Sequence, residues 1–100
     1  MSDVETVPAA DWEQWVERHD GMVLDIRESW EWAGGTLPEA VLISMGELVD
    51  KIDELPRDRA ILCVCRSGNR SHQVARFLAL SGFEQVANMG GGMKALGMQD

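Results

Sequence analysis

Residues 61–71 read Ile61-Leu62-Cys63-Val64-Cys65-Arg66-Ser67-Gly68-Asn69-Arg70-Ser71, and their order decides the fold. The first four are apolar, which predicts a short buried strand. The pattern turns polar at Cys65, and from Ser71 onward it is helical. A cysteine is thus carried to the end of a strand. A tight loop with two arginines and a glycine follows it, and then a helix begins. Main-chain N–H groups of a curled loop, a first helical turn and nearby guanidinium groups all favour negative charge. A thiol placed among them is acidified.

Outward from that loop, strands and helices alternate in short units. Val4-Glu5-Thr6-Val7 alternates like an edge strand and Pro8 ends it. Asp11 is placed to cap a helix whose face is Trp12, Trp15, Val16 and His19. Asp20-Gly21 closes it. Met22-Val23-Leu24-Asp25-Ile26 is a second strand, with Asp25 near its end and Arg27 two residues further on. Glu28 to Ala33 predicts a short helix, broken by Gly34-Gly35. Val41-Leu42-Ile43 predicts a buried strand. Ser44 with Glu47 reads as a capping box ahead of a helix facing inward through Met45, Leu48, Val49 and Ile52. The helix from Ser71 has Val74, Phe77 and Leu78 on its buried side, with Gly82 past its end. Glu84 to Ala87 is a weak last strand, Asn88 to Gly92 a glycine-rich turn, and Met93 to Leu96 one helical turn. Such alternation predicts an α/β fold with a mostly parallel sheet covered by helices. In such folds ligands bind beyond the carboxyl ends of strands, where the Cys65 loop is placed.

The chain has 100 residues, so a single domain over 1–100 is expected. A formal net charge of −8 argues against non-specific nucleic-acid binding and against anionic membrane surfaces. It also sets Arg66 and Arg70 apart. No apolar run is long enough to span a bilayer. Met1-Ser2-Asp3-Val4-Glu5 lacks the basic and apolar regions of a signal peptide. Two cysteines one residue apart do not staple a fold, which points to a free thiol in a reducing, cytoplasmic setting.

Cys65 reads as the reactive thiolate, because the loop after it is polar, basic and glycine-containing. Cys63, mid-strand between Leu62 and Val64, reads as inert core. Arg66 and Arg70 read as anion-attracting cations. Gly68 supplies a torsion that lets successive N–H groups converge. Ser71 is the expected helix N-cap and a possible hydrogen-bond donor into the loop. His72, starting a helix that points away from the loop, is a poor general base, and His19 reads as packing or a capping cation. The Cys-x-Cys spacing with distant histidines matches no usual zinc site, so neither metal nor cofactor is expected. Trp12, Trp15, Trp30 and Trp32 read as packing residues. Asp25 and Arg27 read as a structural ion pair, with pocket shaping as the alternative.

The loop Cys65-Arg66-Ser67-Gly68-Asn69-Arg70-Ser71 resembles the active-site loop of rhodanese-like sulfurtransferase domains. Leu24 to Glu28 with Trp30-Glu31, Gly35 to Ala40, and Asn88 to Gly92 agree with that family in order and spacing. Thr36 stands where the family often has histidine and Glu39 where it often has glycine. The chain ends soon after Leu96, near a place where tryptophan is frequent. The resemblance implies a three-layer fold: a mainly parallel five-stranded sheet with helices on both faces. It implies that Cys65 takes a sulfane sulfur from a small anionic donor such as thiosulfate, within a cradle formed by Arg66, Ser67, Gly68, Asn69, Arg70 and Ser71. The sulfur would then pass to a thiol, to cyanide or to a partner protein. Two alternatives stand beside this. One is a non-enzymatic sulfur carrier or partner-binding module. The other is a phosphatase or arsenate reductase of the related fold, whose longer loop needs an arginine at position 71, where this chain has serine.

Overall fold

A computed structural model describes residues 4–98. Met1-Ser2-Asp3, part of the stretch expected to lack signal-peptide character, lie outside the described residues. Five parallel strands form one sheet in the order β1-β5-β4-β2-β3. They are β1 (Glu5–Pro8), β2 (Met22–Asp25), β3 (Val41–Leu42), β4 (Ile61–Val64) and β5 (Val86–Gly90). Five α-helices follow them: α1 (Trp12–His19), α2 (Ser29–Trp32), α3 (Leu48–Lys51), α4 (Asn69–Leu80) and α5 (Gly92–Ala95). β4 is central, pairing with β2 through Leu24↔Cys63 and with β5 through Cys63↔Asn88.

Strand periodicity divides the core in two. Leu24, Ile26, Ile61, Cys63, Cys65 and Val86 pack with Leu48 of α3 and Val74, Ala75 and Leu78 of α4. Val23, Leu62, Val64, Ala87 and Met89 pack on the other side with Trp15 of α1 and Met93 of α5. The expected three-layer arrangement is therefore present. Trp15 also donates its Nε1–H to Glu5 Oε1 at 3.0 Å, tying α1 to the edge strand.

Several local expectations are corrected. Phe77, Val49 and Trp30 are exposed rather than buried, Trp30 at 75%. On α4 the inward stripe is Ser71, Val74, Ala75 and Leu78, which leaves Phe77 on the flank. The Val49 segment opens as a 3₁₀ turn, Met45–Glu47, and closes as another, Ile52–Glu54. Its tighter winding puts Met45, Leu48 and Ile52 against the core and swings Val49 out. Val41 and Leu42 lie exposed on an edge strand, and only Ile43 of that run is buried. Asp11 stands before α1 but makes no side-chain cap. Ser44 donates to Glu47 Oε1 at 3.1 Å without capping the backbone. The last strand runs on through Asn88 and Met89, so the expected turn begins only at Gly91.

Asp25 and Arg27 form a buried ion pair, 1% and 0% exposed. Arg27 Nη2 and Nε–H groups meet both carboxylate oxygens of Asp25, at 2.8 to 3.2 Å. The same guanidinium donates to the carbonyls of Gly35 and Glu31. It therefore ties the end of β2 to the segment around α2. Removing one member leaves a charge in the core, so Asp25→Ala is expected to lower the unfolding free energy by about 3–5 kcal/mol. Urea denaturation reads this, and a loss of only about 0–1 kcal/mol, as for a surface pair, would contradict it.

Candidate active site

β4 ends at Val64 and sets Cys65 at the carboxyl edge of the sheet, between its neighbours β2 and β5. The chain then curls back over the sulfur. Gly68, at φ +100°, makes the turn and caps α4, a left-handed conformation that favours glycine. Its position is also tight, since a Cβ there would meet Gly91 N at 3.2 Å. The turn aims donors at one atom. Cys65 Sγ accepts hydrogen bonds from the N–H of Gly68 at 3.0 Å, the N–H of Ser71 at 3.3 Å and the Ser71 hydroxyl at 3.2 Å. The N-cap of α4 is thus Gly68, not Ser71. Ser71 sits inside the first turn, fully buried, facing the sulfur and Asn88.

Two influences on the Cys65 thiol oppose each other. Its side chain belongs to the apolar cluster of Ile26, Ile43, Leu48 and Val74, and burial pushes its pKa up. The Ser71 hydroxyl and the N–H groups of Ser71, Gly68 and Ser67 pull it down, and together they prevail: the pKa lies below the usual thiol value. Cys63 has no such donors. Burial first, and the neighbouring Cys65 second, hold its thiol far above the usual range.

The outer side of the loop is fixed by α5. Met93 N–H donates to the Cys65 carbonyl and Lys94 N–H to the Arg66 carbonyl, both at 2.9 Å. The peptide whose oxygen Lys94 holds carries the Ser67 N–H, one of the groups that acts on the Cys65 sulfur. Gly92, at φ +63°, allows this approach, because a Cβ there would lie 2.6 Å from the Cys65 carbonyl oxygen and still nearer that of Arg66.

The loop cations take different places. Arg66 is exposed at the rim with Ser67 and Asn69. Arg70 forms a two-pronged pair with Glu31, Nη1 to Oε1 at 2.9 Å and Nη2 to Oε2 at 3.0 Å. Glu31, 4% exposed, also accepts the Glu28 N–H at 2.9 Å. The Arg70 hydrogen bonds outweigh burial and hold its carboxyl below the usual carboxylate range. His72 is half-buried in α4 and makes no hydrogen bond to Cys65 among those described. Asp25 and Arg27 are occupied with each other. Sequence reasoning missed Glu31, Asn88 and Gly92 as parts of the site. A buried asparagine among Val86, Ala87 and Met89 was the legible signal for Asn88.

A cleft of about 600 Å³ lies at the opposite, amino end of the sheet, lined by His19, Asp20, Asp58, Arg59 and Glu84. It contains neither a thiol nor a converging set of amides. Among the described residues no group of three His, Cys, Asp or Glu side chains is placed to hold a metal ion. No helix among them is long and apolar enough to cross a membrane.

A cysteine at a strand end, with the N–H groups of a curled loop converging on its sulfur, sits at the carboxyl edge of a parallel α/β sheet. The family model "Rhodanese-like domain" matches residues 9–99. The chain belongs to the rhodanese-like domain family. It is 42% identical over 73 residues to Bacillus subtilis YtwF, provisionally named a sulfurtransferase, covering 73% of this chain and 70% of that one. It is 30% identical over 80 residues to a protein of Pseudoalteromonas translucida named thiosulfate sulfurtransferase GlpE, covering 80% and 76%. A solved rhodanese-like domain protein from Staphylococcus aureus superposes with a TM-score of 0.83 at 27% identity, covering 92% of this chain and 90% of that one. Family and relatives support sulfur transfer as the class of activity.

Gly92→Ala is expected to destabilise the fold by about 1–3 kcal/mol from its backbone conformation alone. It should also return the Cys65 titration toward that of a free thiol, read by the pH dependence of alkylation; an unchanged titration would show that α5 does not shape the cradle. Glu31 predicts an acid sensitivity. Its folded pKa lies below the ordinary 4.5, so its stabilising contribution is complete above that value and is lost as pH falls through the lower folded one. The melting temperatures of wild type and Glu31→Gln should differ near neutrality and converge in acid, and a gap that widens in acid would contradict the pairing.

Proposed function

We propose that the protein is a sulfurtransferase that moves a sulfane sulfur from a small anionic donor of the thiosulfate type through a persulfide on Cys65. The observation that carries this reading is the convergence of the Gly68 N–H and the Ser71 N–H on one sulfur atom, with the Ser71 hydroxyl also within hydrogen-bond reach of it. Hydrogen bonds to a charged group are worth about 1.5–3 kcal/mol each, so the two N–H groups, joined by the Ser71 hydroxyl when its proton turns to the sulfur, favour the anion even in an apolar surround.

The step balances as a displacement. The Cys65 thiolate uses an electron pair to form a bond to the outer sulfur of the donor. The sulfur–sulfur bond of thiosulfate breaks, and sulfite leaves with its electron pair. The product is a Cys65 persulfide anion, which the same donors stabilise as an oxyanion hole does its oxygen. A nucleophile, whether cyanide, a thiol or the thiolate of a partner protein, then attacks the outer sulfur, and the Cys65 thiolate is restored. Arg66 at the rim and Arg70 beside the loop supply a positive field for the donor in an otherwise acidic chain. Ser67, Gly68, Asn69 and Ser71 provide the backbone of the cradle. Cys65 has no exposed surface, so the donor enters by parting the exposed rim of Arg66, Ser67 and Asn69.

Incubation with thiosulfate should add the mass of one sulfur atom, and cyanide should remove it as thiocyanate. Cys65→Ser should abolish the adduct and Cys63→Ser should keep it. An adduct that forms but turns over only against a protein acceptor would favour the carrier reading, and absence of any adduct on wild type would overturn persulfide chemistry here.

A further inference from the structure

The Ser71 hydroxyl has two claimants for one proton. Its Oγ lies 3.2 Å from Cys65 Sγ and in short contact with Asn88 Oδ1. A hydroxyl donates once and accepts through its lone pairs. It cannot serve both neighbours as a donor at the same moment. Asn88 is 4% exposed and sits on β5, where its main chain is registered between Thr6 and Cys63. Its backbone is therefore fixed, while its terminal amide can present either oxygen or nitrogen by a half-turn.

Those two settings match the two states of the sulfur. With the amide oxygen toward Ser71, the hydroxyl proton goes to Asn88, and Oγ offers only lone pairs to Cys65. That suits a neutral thiol, which donates S–H to Oγ. With the amide nitrogen toward Ser71, Nδ2–H donates to Oγ, and the hydroxyl proton is left for the sulfur. That suits a thiolate or a persulfide anion. The chain of donors then runs one way, each bond polarising the next.

We propose that Asn88 is a positioning residue for Cys65, turning its side-chain amide to hand the single Ser71 hydroxyl proton to the sulfur when the sulfur is anionic. The proposal rests on the reading of Cys65 as the sulfur-bearing residue, but it concerns hydrogen bonds alone and needs no donor. The charged and titratable groups that face the sulfur come from several elements. Cys63 lies on the same strand and face and stays protonated. Arg70 of α4 couples electrostatically to Cys65 and is itself held by Glu31 of α2. Arg66 lies on the loop and Lys94 follows on α5, with its N–H on the Arg66 carbonyl. Asp25 and Arg27, at the end of β2, are paired with each other. β5 presents only the uncharged Asn88 to this corner, so its amide reports the sulfur without titrating itself.

The test follows the Asn88 side-chain amide by nitrogen-edited NMR while Cys65 is titrated, with thiolate absorbance giving the Cys65 midpoint independently. One of the two Nδ2 protons is expected to move downfield as the thiolate forms, with the same midpoint. In Ser71→Ala that movement should be lost although Cys65 still titrates, at a higher pH. In Cys65→Ser, which needs no Ser71 substitution, the amide should keep its acid-side position across the whole range. An Nδ2 signal that stays fixed through the wild-type Cys65 titration overturns the proposal, as does an equal movement in Ser71→Ala. Because no sulfur donor enters, a failure here differs from a failure of thiosulfate to load Cys65, which would sink the persulfide instead.

Discussion

The site depends on where two carbonyl oxygens point. The Cys65 and Arg66 carbonyls are held by the Met93 and Lys94 N–H groups of α5. A peptide plane has two sides, so fixing its oxygen outward fixes the next N–H inward. The Arg66 and Ser67 peptides are thereby oriented before the turn at Gly68 begins. Helix α5, whose Met93 lies 28 residues after Cys65, thus builds the outer wall of the cradle. It reaches the loop closely enough only because Gly91 and Gly92 adopt positive φ and Gly92 has no side chain.

A second constraint concerns the use of charge. The chain carries a net charge of −8, yet its candidate site gathers hydrogen-bond donors around one sulfur. The structure resolves this by separating the charges that shape the loop from the dipoles that bind. Arg70 is occupied in a two-pronged pair with Glu31, and Glu31 in turn closes the first turn of α2 through the Glu28 N–H. Arg27 does the same one layer deeper, joining Asp25 to the Gly35 carbonyl. Side-chain cations brace the loop and the segment beside it. Main-chain amides, which carry no net charge and do not titrate, make the contacts to sulfur.

The fold was largely legible because its signals are local. Apolar runs at Met22–Ile26 and Ile61–Val64, the helical pattern after the loop and the glycine at 68 each follow from short-range rules. The expectations that failed all needed a neighbour that the sequence does not name. Phe77 and Val49 lie at apolar helical spacings but on flanks that stay exposed. Val41 and Leu42 read as buried until the sheet order puts them on an edge. Ser71 looked like a cap by its place before a helical pattern. It became a hydrogen-bond donor to sulfur because α4 starts two residues earlier, at Asn69. Asn88 read as turn because asparagine and glycines usually break strands. Pairing with both β1 and β4 outweighs that preference. Cys65 was readable from its own loop, whereas Glu31, Gly92 and Asn88 entered the site from elements distant in sequence.

Burial of the sulfur joins these points. A thiol that merely needed acidity would be better exposed, since solvation lowers the cost of its charge. Cys65 instead sits against Ile26, Ile43, Leu48 and Val74 with no surface open to water. Burial raises the cost of the anion, and the convergent donors offset it. The gain from that expense is selective. In a dry pocket each donor acts at low dielectric, and its direction is set by the backbone rather than by reorganising water. An anion of the wrong size loses several of these bonds at once and has no water to replace them. The loop from Arg66 to Ser71 is six residues long, and within it the Gly68 and Ser71 N–H groups and the Ser71 hydroxyl meet on the single sulfur of Cys65.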